Sequence, residues 1–211
     1  MSNWINEHIV FQYDVKKQGA TNETLKESAY LQDLSGKGRR MKLNNFLFDM
    51  MSGIGKDNSL VTDGVDDYGL VENLSSGVKM LFMTVNPMML DRCLYDQRFT
   101  SGWHLFAVIT TSDKIAYNNY NTKGKTYING VLNESRTSNE LQNEKQIITI
   151  VNSEVNETNS LPPNFFRIRG GGLRIKCAFY NSIAFDSIPT EADGFTEQEL
   201  IDYVIDKYEL K

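Results

Sequence analysis

The chain has 211 residues, a formal net charge of −5 and 40% hydrophobic residues. This length suits one large domain, and the composition is that of a folded globular protein with no apolar run long enough to cross a bilayer. We expect a single core. The densest basic stretch, Lys37, Arg39, Arg40 and Lys42, lies beside two glycines and favours a solvated turn over a phosphate-binding patch, so we expect neither a nucleic-acid nor a membrane partner.

The first seven residues, MSNWINE, precede the first strand-like segment. They contain no basic region leading into an apolar stretch and no cleavage site, so we expect no signal peptide and folding in a cytoplasm. Trp4 and Ile5 are an apolar pair in an otherwise polar segment. We predict that residues 1–7 form an arm that exposes this pair for assembly with a partner subunit, ahead of one domain over residues 8–211.

Strand signals dominate the remaining sequence: short alternating or β-branched and aromatic segments, separated by Gly, Asn, Asp and Ser. About ten strands at this spacing predict an all-β, two-sheet antiparallel sandwich. After Pro87, residues 88–96 are predicted to be helical or irregular. The predicted strand segments are residues 8–15, 41–48, 59–63, 78–87, 104–112, 115–121, 125–130, 131–135, 146–154, 165–170 and 173–185.

Two local signals are more specific. Asn129 and Gly130 stand between short β-type segments, and both tolerate the positive φ of a tight hairpin turn. Thr196 and Glu199 form a capping-box pair before an apolar stripe with helical spacing, which predicts one C-terminal helix through Lys207.

Four stretches, taken in order, resemble the concanavalin A-like lectin and glucanase domains of the LamG-like branch. The form with LNNF, DGVDDYG and a terminal helix containing KY is similar to domains in structural and fibre proteins of tailed, crAss-like phages of gut Bacteroidales. The resemblance implies a jelly roll of two curved antiparallel sheets. The stretches are DLSGKGRRMKLNNF (33–46), LVTDGVDDYG (60–69), WHLFAVITTSDKIAYNNYNTKGKTYINGVLNES (103–135) and LRIKCAFYNSIAFDSIPTEADGFTEQELIDYVIDKYEL (173–210).

This resemblance implies a non-enzymatic virion protein: a capsid-surface decoration, a head-fibre subunit or a tail-associated subunit. Its expected partners are other virion proteins and copies of itself. Its expected location is the virion, after synthesis in the cytoplasm of a host bacterium. The alternative is a carbohydrate-binding module or adhesin that recognises a bacterial surface glycan. A glycoside hydrolase is disfavoured, because it would need two carboxylates on one strand face. The nearest candidates lie in polar, loop-like sequence: Glu140 with Glu144, and Glu154 with Glu157.

The densest acidic segment contains Asp63, Asp66 and Asp67 around Gly64. It lacks the alternating ligand register of a calcium loop, and Asp side chains commonly stabilise tight turns. We therefore favour a turn without cofactor over a calcium site, which Asp33 would join if the two turns were neighbours. Lys37, where the resembling domains usually carry Asn, removes an oxygen ligand and weakens the calcium reading further.

A group of aromatic and amide side chains is the candidate glycan site, because such groups bind sugars in the domains that this chain resembles. A hairpin with paired tyrosines is the alternative for the same residues. Cys93 and Cys177 lie far apart in strand-like sequence and are predicted to be buried free thiols. The candidate glycan-binding residues are Tyr117, Asn118, Asn119 and Tyr120.

Overall fold

The computed structural model describes residues 1–74, 77–89, 92–98, 124–133, 144–152, 161–167, 169–170 and 172–210, with the backbone of two strands at 104–110 and 115–117. The described helices are α1 (Ser2–His8), α2 (Asn22–Ser28) and α3 (Glu197–Lys207). The described strands are β1 (Ile9–Asp14), β2 (Tyr30–Leu31), β3 (Met41–Asn44), β4 (Gly53–Ile54), β5 (Leu60–Val61), β6 (Tyr68–Val71), β7 (Met80–Pro87), β8 (Arg92–Arg98), β9 (His104–Thr110), β10 (Ile115–Tyr117), β11 (Lys125–Ile128), β12 (Val131–Leu132), β13 (Gln146–Val151), β14 (Asn164–Phe165) and β15 (Cys177–Phe185).

The described strands form two antiparallel sheets, so the predicted two-sheet sandwich is confirmed. The eight-stranded sheet has the order β12-β11-β13-β7-β15-β5-β4, and β1 also pairs with β15. The seven-stranded sheet has the order β10-β9-β8-β14-β6-β3-β2. Among the described helices, none has the length and apolar character needed to cross a membrane.

The eight-stranded sheet is buried on both faces over part of its area. Along β7, Leu81 and Met83 join the core that it shares with the seven-stranded sheet, whereas Met80 and Phe82 join a second cluster with α1 and α3. Successive side chains of a strand point to opposite faces, so this second cluster lies on the outer face of the eight-stranded sheet. Burial on both faces explains why β7 reads as a continuous apolar run rather than an alternating one.

The predicted exposed arm at residues 1–7 is wrong. Residues 2–8 form α1, and Trp4 and Ile5 are buried, with 7% and 0% of their surface exposed. The Trp4 ring lies 5.7 Å from the ring of Phe185 and 5.8 Å from that of Phe195. The apolar pair therefore covers the outer face of the chain's own sheet and is not available for assembly.

Two further corrections concern secondary structure. The predicted C-terminal helix is present as α3, and the described residues also contain α1 and α2, which the sequence did not predict. Residues 92–98 form β8, where a helical or irregular segment was predicted for 88–96. Two features hide the strand pattern. A register shift between Cys93 and Tyr95 breaks the alternation of the side chains. An ion pair between Arg98 Nε and Asp96 Oδ2, at 3.1 Å, also places two charged residues in the strand.

Other local predictions are confirmed. Asn129 and Gly130 have φ values of 52° and 85°, and Ile128 pairs with Val131 across this turn. Helix α3 begins after Thr196, whose side-chain oxygen accepts from the Glu199 backbone N–H, as in a capping box. Both cysteines, Cys93 and Cys177, are buried and free.

Candidate functional site

The acidic segment is a corner between the two sheets. Strand β5 belongs to the eight-stranded sheet and β6 to the seven-stranded sheet, so residues 62–67 carry the chain from one to the other. Gly64 has a φ of +79°, which suits glycine. The predicted turn is confirmed, and Tyr68 begins the next strand, although in the opposite sheet. We call Asp63, Asp66 and Asp67 the acidic corner.

Asp67 ties this corner to the core. It is 1% exposed, and its carboxylate accepts hydrogen bonds from Ser52 Oγ at 2.8 Å and from the Asp63 backbone N–H at 2.8 Å. Asp63 Oδ1 in turn accepts from the Val65 backbone N–H at 2.7 Å. Burial raises the pKa of Asp67 to about 6, although these hydrogen bonds oppose the rise. Asp67 therefore acts as a buried acceptor that holds the corner closed.

The corner brings three carboxylates together. One oxygen from each of the three acids lies within 4.8 Å of the others. Calcium takes six to eight oxygens, usually including backbone carbonyls. Here the Asp66 carbonyl accepts from Asn45 Nδ2 at 3.1 Å, and the Val65 carbonyl accepts from the Arg174 guanidinium. Two backbone oxygens beside the carboxylates thus accept hydrogen bonds already, one of them from the positively charged side chain of Arg174.

Asp33 has a separate structural role. Its Oδ1 accepts from the Ser35 backbone N–H at 2.9 Å, and its Oδ2 accepts from the Arg39 backbone N–H at 3.0 Å. The same Oδ1 accepts from the Gln12 backbone N–H at 3.0 Å, which joins the SGKG turn to β1. Asp33 is therefore a turn cap, and among the described residues it does not belong to the acidic corner.

The predicted glycan site lies outside the described residues, apart from one backbone position. Tyr117 ends β10, but its side chain, like Asn118, Asn119 and Tyr120, lies outside the described residues. The same holds for three of the four glutamates considered as paired carboxylates, Glu140, Glu154 and Glu157.

A different polar site forms where the eight-stranded sheet branches. Strand β15 pairs with β1 along residues 181–185 and with β5 at residues 178 and 179. The pairing of β15 with β7 shifts register between Phe179 and Asn181, which makes Tyr180 the bulged residue. Between the end of β1 and the β4–β5 hairpin lies a groove of about 830 Å³. Its lining side chains are Asp14, Lys16, Lys17, Asp57, Asn58, Lys145, Tyr180, Asn181 and Glu209; we call this region the groove.

A row of three polar side chains crosses the sheet at the groove. Asn181 lies opposite Asp14 on one side and Thr84 on the other, and directly opposed residues share a face. That face is the outer one, because Ile183, two residues along β15, belongs to the outer cluster. Asp14 accepts from the Lys17 backbone N–H at 2.8 Å, and Thr84 donates to the Leu210 carbonyl at 2.8 Å.

Asn181, in the middle of this row, has no such partner. It is 7% exposed, and its side-chain oxygen is buried with no hydrogen-bond donor from any residue that the structure describes. Buried amides are normally paired, so the Asn181 oxygen is an exception, which it shares with several other buried side-chain atoms of the described residues.

Tyr180 forms one wall. Its hydroxyl donates to Asp57 Oδ2 at 2.6 Å, and the Lys145 ammonium lies 4.7 Å from its ring centre. Burial and the contact with Asp57 raise the pKa of Tyr180. Burial opposes ionisation of Asp57, but hydrogen bonds from Ser59 and Tyr180 outweigh it and lower the pKa of Asp57. The wall therefore presents a neutral phenol held by a carboxylate.

The sequence does contain a signal for the groove. In β15, CAFYNSIAF, the adjacent Tyr180 and Asn181 interrupt an apolar strand.

Comparisons with protein-family models, with curated proteins and with solved structures found no match for this chain.

Proposed function

We propose that the chain is a non-enzymatic structural protein of a phage virion, a lectin-like jelly-roll module that decorates the capsid surface or belongs to a head fibre or tail. The observation that carries the proposal is the ordered set of four stretches that resemble such domains, combined with the two-sheet antiparallel sandwich on which they lie.

The roles of the polar residues in these stretches support the proposal. Asp33 caps a turn, Asp67 holds the corner between sheets, and Asn129 accepts from the Ile147 backbone N–H at 2.9 Å beside its hairpin. Thr196 begins the closing helix. Each of these residues stabilises a connection of the sandwich. The motifs therefore specify a scaffold, and in our proposal the surfaces of that scaffold contact other virion proteins.

The test is quantitative mass spectrometry of density-purified particles from a culture in which the gene is expressed. The chain should co-purify at a constant ratio to the major capsid protein, and salt washes that remove contaminants should leave that ratio unchanged. Neighbouring capsid, portal or tail genes would add support. Absence from particles, or a gene within a secreted polysaccharide-utilisation locus, would contradict the proposal.

Glycan recognition is the second candidate function, and the groove favours it. A virion protein can also bind a glycan, so the two functions are tested separately. Release of reducing sugar from a bacterial polysaccharide, lost on replacement of a single carboxylate, would overturn the non-enzymatic assignment in both cases.

A further inference from the structure

We propose that three arginines on the outer face of the seven-stranded sheet, Arg98, Arg167 and Arg169, bind a doubly charged tetrahedral oxyanion, a phosphate group. We call these residues the arginine cluster. The cluster is distinct from the groove and from the acidic corner, and its binding of phosphate does not depend on the virion assignment.

The buried carboxylate of Asp96 positions the cluster. Tyr95 and Phe165 lie opposite each other on β8 and β14 and belong to the core between the sheets. Successive side chains of a strand point to opposite faces, so Asp96 lies on the outer face. Its Oδ2 accepts from Arg98 Nε at 3.1 Å and from the Arg169 backbone N–H at 2.6 Å. One carboxylate thus joins two segments that lie 71 positions apart in the chain.

The cluster carries an excess of positive charge. Among the described residues, three guanidinium groups surround one carboxylate, which leaves a formal charge of three minus one, or +2. Arg98 Nη2 donates to the Arg169 carbonyl at 2.6 Å, and Arg169 Nη2 donates to the Pro162 carbonyl. These neutral acceptors orient the side chains without cancelling their charge. Burial lowers the pKa of Arg169, and repulsion by Arg98 and Arg167 adds to this effect, whereas Asp96 opposes it.

Arg167 is the member of the cluster that lacks an anionic partner among the described residues. Its guanidinium carbon lies 3.1 Å from the ring centre of Tyr68. A similar pair on the same sheet is completed by an acid: the Arg40 guanidinium lies 4.2 Å from the ring centre of Tyr30, and its Nη2 lies 3.4 Å from Glu72 Oε2. Stacking on a tyrosine therefore leaves an arginine able to bind an oxyanion, and at Arg167 a ligand can supply that oxyanion.

The chemistry of the cluster favours a phosphate group over other anions. A guanidinium has five N–H donors in a planar fork that matches the oxygens of phosphate, and the described contacts leave donors unused on each of the three arginines. All three side chains are half-buried, so solvent reaches them while charges are screened less than at an open surface. A phosphate dianion cancels the excess charge of the cluster, whereas a single carboxylate cancels half of it.

The experiment is titration calorimetry of the full chain at low ionic strength and about pH 8, where phosphate groups carry about two charges. The probes are inorganic phosphate, glycerol 3-phosphate, sulfate and acetate, with sodium chloride at equal ionic strength as the blank. We expect phosphate and sulfate to bind and acetate to bind about tenfold more weakly. Tighter binding of glycerol 3-phosphate would support a phosphate monoester as the ligand, and tighter binding of inorganic phosphate would support the free ion.

Two variants test the cluster itself. The Arg167 guanidinium makes no hydrogen bond to the described residues, so Arg167→Gln should fold normally and weaken phosphate binding about tenfold or more. Arg169→Gln should weaken it by a similar factor. The matched control is Arg40→Gln, which removes the same charge and a similar stacking contact from the same sheet. This control should change phosphate binding by less than about twofold.

Three results would overturn the inference: no binding of phosphate or sulfate at millimolar concentration, equal weakening by Arg40→Gln and Arg167→Gln, or unchanged binding in folded Arg167→Gln and Arg169→Gln variants. Each of these leaves the virion proposal intact, because particle composition is measured independently. Conversely, absence from particles together with phosphate binding that Arg167→Gln weakens would overturn the virion proposal and leave the arginine cluster as a binding site.

Discussion

The acidic corner and the groove both collect polar side chains where the regular pairing of a sheet is interrupted. At the corner, the buried Asp67 carboxylate accepts from Ser52 and from a backbone N–H. In the groove, the Asn181 amide, on a residue that is 7% exposed, has no partner for its oxygen among the described residues.

The two clusters therefore differ in whether the protein pairs their buried acceptor. A buried acceptor that is paired contributes to stability, whereas an unpaired one costs about 1–3 kcal/mol. A dense set of acids such as Asp63, Asp66 and Asp67 is thus weak support for a site when its oxygens serve the turn.

The largest expected effect is loss of the corner's buried acceptor. Asp67→Ala leaves the Ser52 hydroxyl and the Asp63 N–H without their acceptor, so we expect the free energy of unfolding to fall by about 2–3 kcal/mol. Urea denaturation at pH 7 measures this. The control is Asp66→Ala, a half-buried neighbour, for which we expect a change below about 0.5 kcal/mol. An Asp67→Ala variant as stable as wild type would remove the distinction between the two regions.

A pH titration sharpens the same point. The pKa of Asp67 in the folded chain, about 6, lies above the ordinary 3.8, so the protonated form is favoured by folding. The extra stability that comes from preferential protonation of Asp67 in the folded chain is full below about pH 4 and is lost as the pH rises through 6, whereas the hydrogen bonds from Ser52 and Asp63 persist at pH 7. Relative to Asp67→Asn, which cannot ionise, wild type should lose on the order of 2 kcal/mol between pH 4 and pH 7.5. The measurement is urea denaturation of both proteins at several pH values, and a constant difference would contradict the raised pKa.

The corner and much of the sandwich could be predicted because their signals are local. A glycine with positive φ at position 64, the Asn129 and Gly130 hairpin, and the Thr196 cap each depend on a few neighbouring residues. The strand at residues 92–98 was missed because a register shift and a buried ion pair disguise its alternation.

Two larger features, the burial of Trp4 and the groove, were not predicted because they depend on contacts between residues that are far apart in the chain. Trp4 was predicted to be exposed because the sequence does not show that α1 and α3 share the outer face of the eight-stranded sheet. The groove forms because β15 pairs with β1 along one part of its length and with β5 along another. Both of these strands lie more than a hundred residues away along the chain. The sequence indicates the groove only through Tyr180 and Asn181, two polar side chains in an apolar strand. The unpaired state of Asn181 appears only when its neighbours are placed.

A smaller effect is expected in the groove itself. Because the Asn181 oxygen has no partner to lose, Asn181→Ala should change the free energy of unfolding by less than about 1 kcal/mol. Asn22 provides the matched change, since its Oδ1 accepts from the Ile54 backbone N–H at 2.7 Å. Asn22→Ala should destabilise by about 1 kcal/mol or more in the same urea experiment. If Asn181→Ala were the more damaging of the two, Asn181 would be structural and the groove would resemble the corner.

The smallest expected effect is that of calcium on the corner. A bound ion at one hundred times its dissociation constant would stabilise the fold by about 2.7 kcal/mol, a rise of several degrees in Tm. We expect less than about 1 °C on adding 5 mM calcium to the metal-free chain, with magnesium at equal ionic strength as the control. The reason is that the Asp66 and Val65 carbonyls are engaged by Asn45 and Arg174, so too few oxygens are free to complete the shell. A saturable rise of several degrees that Asp66→Ala abolishes would mean that ligand binding competes successfully with those donors. Paired hydrogen bonds would then no longer separate the corner from the groove.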